Sequence, residues 1–260
     1  MDDTTEVKTS EGDKKTGKTV RVKNIGLRGV TVADTKISRI DGQNGVLIYR
    51  GFRIEELARD STFEETAYLL HHDELPGREE LRKFTELLVE ARTMPRFVFD
   101  VLKGLPKESH PMDVLQAAVP VLAMADPEPG NETREANMAK AVRLISRIPV
   151  IVAGWQRIRQ GASPLPSKDA LSHAANFLWQ LTGKEPDEGI ARDLDIALLL
   201  HADHSFNAST FACREVTSTG AHMYASVAAG VGALSGKLHG GANTEVVKML
   251  LELKGEKDIP

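Results

Sequence analysis

The chain has 260 residues, with 33 Lys and Arg against 37 Asp and Glu, so its formal charge is −4. That balance argues against nucleic-acid binding, because nucleic-acid-binding domains usually carry a basic excess. No apolar run approaches the ~20 residues of a membrane-spanning helix, and the hydrophilic N-terminus shows no secretory signal. The single cysteine, Cys213, excludes an internal disulfide and fits a reducing compartment. We therefore expect a cytoplasmic protein with no membrane or nucleic-acid partner.

Composition favours helices over sheets. Aromatic residues make up only 5% of the chain, whereas strands prefer aromatic and β-branched residues. Residues 1–23 mix charged residues with Thr and Gly and offer few apolar groups to bury, which predicts a disordered tail. Residues 24–260 are predicted to form one large helical domain.

One segment has the pattern of a β-hairpin. The runs TKISRI and VLIYRG flank DGQNG, whose Asp-Gly and Asn-Gly pairs are strong hairpin signals. The sequence therefore predicts an all-α fold with one short N-terminal hairpin near residues 35–50.

From residue 51 onward the apolar residues recur at helical spacing. Ser61 and Glu64 fit a capping box that starts one helix. A long helical pattern covers 133–160, where Pro149 predicts an interruption. Ser167 is predicted to cap the helix that follows.

The last third of the chain is dense in small residues. Small residues let helices approach closely, so we expect a buried helical hairpin or a subunit contact over about 205–235. The run there is SFNASTFACREVTSTGAHMYASVAAGVGALSG. An Ala- and Gly-rich surface left unpaired would expose an apolar patch, which favours a two-fold interface. A final helix is predicted over 244–254.

His201 and His204 stand three residues apart in the segment HADH and would share one helical face. A zinc site would need a third ligand, and the sequence offers no matching motif, so no metal is expected. Alternatively, a protonated imidazole is favoured at a helix C-terminus. His201 could fill that role and leave His204 to bind an anion.

His239 lies in the segment KLHGGAN, directly before the final helix. The glycines let the backbone approach a ligand closely. The positive end of the helix dipole disfavours an imidazolium, so a neutral His239 would donate a hydrogen bond. Stabilisation of a developing enolate requires such a donor. The simpler interpretation is a turn histidine before a capped helix.

Together these motifs resemble the citrate synthase family. The resemblance rests on GLRGV and SRIDGQNGVLIYRGFRIEELARDSTFEETAYLLHHDELP, and more specifically on HADHSFNASTF and TSTGAHMYASVAAGVGALSGKLHGGANTEV, within residues 25–254. It implies a nearly all-α homodimeric acyltransferase of the tricarboxylic acid cycle. Such an enzyme condenses acetyl-CoA with oxaloacetate and then hydrolyses the citryl thioester.

The resemblance also assigns residues by motif. His239 would be the catalytic histidine that faces the thioester carbonyl. His204 would contact oxaloacetate, and Asn207 would lie beside that site. The family needs no metal and no bound cofactor, since the CoA thioester is a co-substrate.

Residues 1–260 depart from the family pattern in one respect. The Gly-His-Arg segment with the second histidine, the aspartate base and the arginines that clamp oxaloacetate find no match in them. The resemblance therefore implies that these residues form the larger domain only, without the small domain and the closing helices. It also implies that they are inactive by themselves. A 2-methylcitrate synthase using propionyl-CoA and a non-catalytic helical assembly module remain as alternatives.

Overall fold

The computed structural model describes residues 33–253, together with two short strands nearer the N-terminus, β1 (Thr4–Thr5) and β2 (Val22–Lys23), which pair antiparallel. Apart from these strands, the predicted disordered tail over 1–23 lies outside the described residues. The chain divides into a small unit, Met1–Lys36, and a large one, Ile37–Pro260. The large unit carries every candidate site residue.

The described part of the large unit contains three short strands and eleven helices. This confirms the all-α class with one N-terminal hairpin. The elements are β3 (Ser38–Asp41), β4 (Val46–Tyr49), β5 (Phe52–Arg53), α1 (Ile54–Asp60), α2 (Phe63–His72), α3 (Arg78–Ala91), α4 (Arg96–Lys103), α5 (Pro111–Ala123), α6 (Arg134–Arg159), α7 (His173–Thr182), α8 (Glu188–Leu200), α9 (Ala208–Ser218), α10 (Met223–Leu234) and α11 (Gly241–Glu252).

The hairpin forms where the turn residues predict it. Strands β3 and β4 pair antiparallel, with Ser38 opposite Tyr49 and Asp41 opposite Val46. Within the turn, Gly45 adopts a φ of +63°, which glycine reaches without strain. The two-residue strand β5 then pairs with the end of β4, an addition that the sequence pattern did not indicate.

Three apolar clusters hold the helices together. The largest joins α4, α5, α6 and α10 around fully buried side chains such as Leu122 and Tyr224. A second joins the hairpin, α1, α2 and α8 around Tyr49 and Leu199. A third joins α2, α3 and α6 around Leu88. The second cluster fixes the hairpin against the end of α8, beside the segment that carries His201 and His204.

Two of the predicted helix starts are wrong. Helix α2 is capped by Thr62, whose side chain accepts from the Glu65 backbone N–H, and the Glu65 carboxylate returns a contact to the Thr62 N–H. The neighbouring pair Ser61 and Glu64 has the same spacing, so the motif alone could not choose between them. Helix α7 is capped by Ser172.

The predicted interruption at Pro149 is also wrong, because α6 continues through it. A proline inside a helix removes one backbone hydrogen bond and costs ~3 kcal/mol. Beyond the proline, Val150, Ile151 and Trp155 are all buried. Burial of a large apolar side chain contributes about 1.5–3 kcal/mol, so packing offsets the loss.

A buried polar joint connects α2 with α7. The Glu64 carboxylate accepts from the backbone N–H of His173 at 2.8 Å, and the His173 ring stacks on Phe63 with centroids 4.6 Å apart. Burial, and after it the nearby Arg92 guanidinium, lowers the pKa of His173 to about 4. Burial raises the pKa of Glu64. The joint therefore favours an uncharged imidazole between these helices.

This joint predicts a loss of stability in mild acid. His173 has an ordinary pKa of 6.5, so above pH 6.5 both folded and unfolded states are neutral at this ring. As the pH falls from 6.5 toward 4, the unfolded chain takes up a proton that the folded chain excludes, and stability decreases. A shift of this size corresponds to a loss on the order of 3 kcal/mol.

Urea unfolding of wild type and His173→Gln at several pH values measures this contribution. The wild type is expected to lose more stability than the variant between pH 6.5 and 4. Groups that titrate alike in the two proteins cancel in the difference between them. The exposed His201→Gln should keep the wild-type slope, and parallel curves for wild type and His173→Gln would contradict the prediction.

Candidate active site

The residues of the candidate site come from three parts of the large unit. These parts are the loop 201–207 between α8 and α9, the first turn of α9, and the turn 235–240 between α10 and α11. Small residues let α9 lie directly on α10, and this close packing brings the parts together. A Cβ atom added to Gly230 of α10 would lie 2.4 Å from Cys213 Sγ of α9.

His201 and His204 have different surroundings although both are exposed. His201 ends α8, and its Nδ1 lies 2.7 Å from the Ala197 carbonyl oxygen, so the ring donates to the last helical turn. This agrees with the helix-end interpretation. The two rings stand perpendicular, with centroids 6.1 Å apart. His204 faces solvent at the middle of the loop and is open to a ligand.

Asn207 is the N-cap of α9. Its Oδ1 accepts from the Thr210 backbone N–H at 2.8 Å and lies 2.7 Å from the Ser209 hydroxyl. With Oδ1 occupied, the amide nitrogen is the group of Asn207 that can donate to a ligand.

His239 joins this arrangement through Ser209. Its Nε2 lies 3.0 Å from the Ser209 Oγ, across a sequence separation of 30 residues. His239 and Asn207 are thus connected by one serine hydroxyl, which lies within hydrogen-bond distance of both. The sequence predicted both outer residues but missed Ser209, whose only signal was its position in the first turn after the cap.

The single proton of the Ser209 hydroxyl decides what His239 can do. If the hydroxyl donates to Asn207, the His239 Nε2 must carry a proton and donate to Ser209. If it donates to Nε2 instead, the neutral ring keeps its proton on Nδ1, which then becomes a donor toward a ligand. Ser209 is therefore able to select the tautomer of His239.

The glycines after His239 shape its turn. A Cβ atom on Gly240 would lie 2.5 Å from the Leu234 carbonyl oxygen, and one on Gly241 would lie 3.1 Å from the Gly236 carbonyl oxygen. The Gly240 N–H donates to Leu234 at 3.0 Å. The backbone thus folds tightly against the end of α10 and holds His239 directly before α11.

The described residues contain neither a metal-binding cluster nor a membrane-spanning helix. Among them, no three His, Cys, Asp or Glu side chains lie close enough together to hold a metal ion. Within the same residues, no helix is both long and apolar enough to cross a membrane.

The fold and the candidate site define a helical protein. In it His239 precedes the N-terminus of α11 and lies within hydrogen-bond distance of Ser209 in α9. The chain belongs to the citrate synthase family, since the family model "Citrate synthase, C-terminal domain" matches residues 26–260. Similar proteins are a citrate synthase of Synechocystis, 42% identical over 90% of this chain and 59% of that protein, and a 2-methylcitrate synthase of Mycobacterium tuberculosis, 40% identical over 88% and 58%.

The same family appears among solved structures. The citrate synthase of Pyrobaculum aerophilum superposes with a TM-score of 0.80 at 38% identity, over 94% of this chain and 64% of that chain. The chain therefore spans about three fifths of the length of the relatives that it matches.

Proposed function

We propose that residues 1–260 form the part of a citrate synthase that polarises the acetyl-CoA thioester and holds one side of oxaloacetate. The contact between His239 and Ser209 at 3.0 Å carries this proposal, because it can fix a neutral ring with one proton directed at a ligand. The reaction would be an acyl transfer of the tricarboxylic acid cycle, with no bound cofactor.

In this proposal His239 stabilises the enolate of acetyl-CoA. A carboxylate base removes a proton from the acetyl methyl group, and negative charge develops on the thioester oxygen. The Ser209 hydroxyl, which donates to Asn207 Oδ1 at 2.7 Å in this structure, would turn to donate to Nε2, so that Nδ1–H donates to that oxygen. A donor fixed before charge develops stabilises the transition state without reorganisation. The enolate carbon then bonds to the oxaloacetate carbonyl carbon, the carbonyl π bond opens, and its oxygen takes up a proton to give citryl-CoA. Water then cleaves that thioester to citrate, CoA and a proton.

His204 and Asn207 would bind oxaloacetate. His204 is exposed on a fixed loop, and an imidazole N–H donates to a carboxylate in a charge-assisted hydrogen bond. The Asn207 amide nitrogen would donate a second bond from the cap of α9.

A second candidate function is that of a 2-methylcitrate synthase. Relatives named citrate synthase and 2-methylcitrate synthase are 42% and 40% identical to this chain. Use of propionyl-CoA is therefore the alternative. A direct comparison of the two thioesters as substrates of a complete enzyme separates these activities.

We also propose that the protein works as a homodimer in the cytoplasm. Helix α11 exposes a row of apolar side chains that nothing in the described part of the chain covers. Contiguous apolar surface of this kind is characteristic of protein interfaces. The row consists of Val246, Val247, Met249, Leu250 and Leu251.

An NMR titration of residues 1–260 with oxaloacetate tests the proposed binding. We expect weak binding that His204→Ala abolishes and His201→Ala retains, because His201 instead donates to the end of α8. Equal affinity of wild type and His204→Ala would contradict the proposal, and so would an absence of binding by the wild type.

A thiol-release assay tests the catalytic part. Residues 1–260 with acetyl-CoA and oxaloacetate are expected to release no CoA, because His239 is placed to donate and the proposal assigns proton abstraction to a carboxylate outside these residues. General-base assistance contributes about 10²–10⁴ in rate. Sustained release that depends on oxaloacetate and disappears in His239→Ala would reveal a base within these residues.

A further inference from the structure

Tyr49 of the hairpin holds the backbone directly before His204. Its side chain is fully buried, and its hydroxyl donates to the Asp203 carbonyl oxygen at 2.8 Å. The Asp203 backbone N–H in turn donates to the same hydroxyl at 3.1 Å. One hydroxyl thus satisfies both backbone groups of a single loop residue, 154 positions away in the sequence.

Ser38 holds the side chain of the same aspartate. It is the residue opposite Tyr49 in the hairpin register, and directly paired residues of an antiparallel sheet present their side chains on one face. The Ser38 hydroxyl donates to Asp203 Oδ1. The hairpin therefore contacts both the backbone and the carboxylate of Asp203.

The loop has a shape that needs such support. Asp203 Oδ1 also accepts from the Ser205 backbone N–H at 2.7 Å, and Ser205 adopts a φ of +59°. A non-glycine residue in this left-handed region is strained and persists only when its surroundings hold it there. His204 lies between Asp203 and Ser205, so the contacts that fix its two neighbours also fix its backbone.

The environment of Tyr49 keeps its hydroxyl in the form that these contacts use. Burial among Ile54, Leu57 and Leu199 excludes water. Burial also raises the pKa of Tyr49, so that the hydroxyl stays protonated and able to donate. A phenylalanine would fill the same space but would leave the Asp203 N–H and carbonyl without this partner.

We propose that Tyr49 and Ser38 are positioning residues for His204, through which the N-terminal hairpin sets the geometry of oxaloacetate binding. The inference rests on the proposed role of His204 in that binding. Neither residue touches the substrate. Both act through Asp203, by holding the loop at an angle that presents the His204 ring to the ligand.

The test compares two buried tyrosines. Tyr49→Phe removes the hydroxyl that holds Asp203. Tyr224→Phe removes an equally buried hydroxyl that donates to Asp126 at 2.8 Å and touches no site residue. The His204 ring signal, identified by its loss in His204→Gln, is followed by NMR in each variant of the 260-residue chain, together with oxaloacetate affinity and urea stability.

Tyr49→Phe is expected to shift the His204 signal and to weaken oxaloacetate binding about 10-fold, as for other residues that orient a ligand-binding group. Tyr224→Phe should lower stability and leave both other readouts at wild-type values. Ser38→Ala should act like Tyr49→Phe, and Ser38→Thr, which keeps the hydroxyl, should restore both. If Tyr49→Phe does not fold, the comparison of Ser38→Ala with Ser38→Thr tests the inference.

Wild-type His204 signals in Tyr49→Phe and Ser38→Ala would overturn the inference, and so would an equal shift in Tyr224→Phe. An absence of oxaloacetate binding by the wild type would instead overturn the proposed role of His204 in that binding. The position of the His204 ring would then still be decided by its NMR signal.

Discussion

Replacement of His239 by alanine in an enzyme that also contains the base is expected to lower turnover by about 10²–10³, with little change in oxaloacetate affinity. The reason lies in what the ring contacts. Its Nε2 is held by Ser209 at 3.0 Å, so only Nδ1 remains for a ligand, and the proposed function assigns that atom to the thioester oxygen and not to oxaloacetate. The effect should therefore fall on turnover, because the donor acts when charge develops.

Two further variants make this result specific. His204→Ala should show the opposite pattern, a large loss of oxaloacetate affinity. Ser209→Ala keeps the His239 ring but removes the hydroxyl that selects its tautomer, so turnover should fall by less than in His239→Ala. Steady-state kinetics with each substrate varied in turn measures all three. The reverse pattern for the two histidine variants would show that their roles are exchanged.

Gly230→Ala is expected to destabilise the protein by about 1–3 kcal/mol, the usual effect of adding a methyl group to a close-packed interior. The new Cβ would lie 2.4 Å from Cys213 Sγ and 3.3 Å from the Ser209 carbonyl oxygen. Helix α9 would have to move away from α10. Since α9 carries Ser209, the contact with His239 should lengthen as well.

The sign of this effect is informative. Within a helix, glycine to alanine normally stabilises by roughly 0.5–1 kcal/mol, so destabilisation would identify a steric cause. Gly130→Ala, in the turn before α6, is the control for an added methyl group without a steric contact, because a Cβ atom there meets nothing within 4 Å. Adding Cys213→Ala to Gly230→Ala should recover part of the stability by making room. Urea unfolding measures each variant, and a stabilised Gly230→Ala would refute close contact between these helices.

Local patterns in the sequence predicted the elements of the fold well. The Asp-Gly and Asn-Gly pairs predicted the hairpin, and helical spacing predicted the helices, because both signals involve residues only a few positions apart. The same locality explains the errors. Ser61 and Thr62 each precede a glutamate at the correct distance, and the choice of Thr62 depends on Glu64 turning away to reach α7.

The site was predicted in part for the same reason. His201, His204, Asn207 and His239 lie in recognisable segments, and the structure places Asn207 and His239 on either side of one hydroxyl. Nothing local indicated that Ser209 faces His239, because that contact depends on how closely α9 and α10 pack. The contact between Tyr49 and Asp203 joins distant parts of the chain and was missed altogether.

The distance between the hairpin and Asp203 has a consequence for biosynthesis. Tyr49 leaves the ribosome 154 residues before its partner, which is roughly 8–30 s at the usual rates of translation. During that interval β3 to β5 and the first helices have been synthesised, whereas the loop that the Ser38 and Tyr49 hydroxyls contact has not. An isolated hairpin is only marginally stable in water. The loop that carries His204 therefore gains the support of the hairpin only after most of the helices have been synthesised.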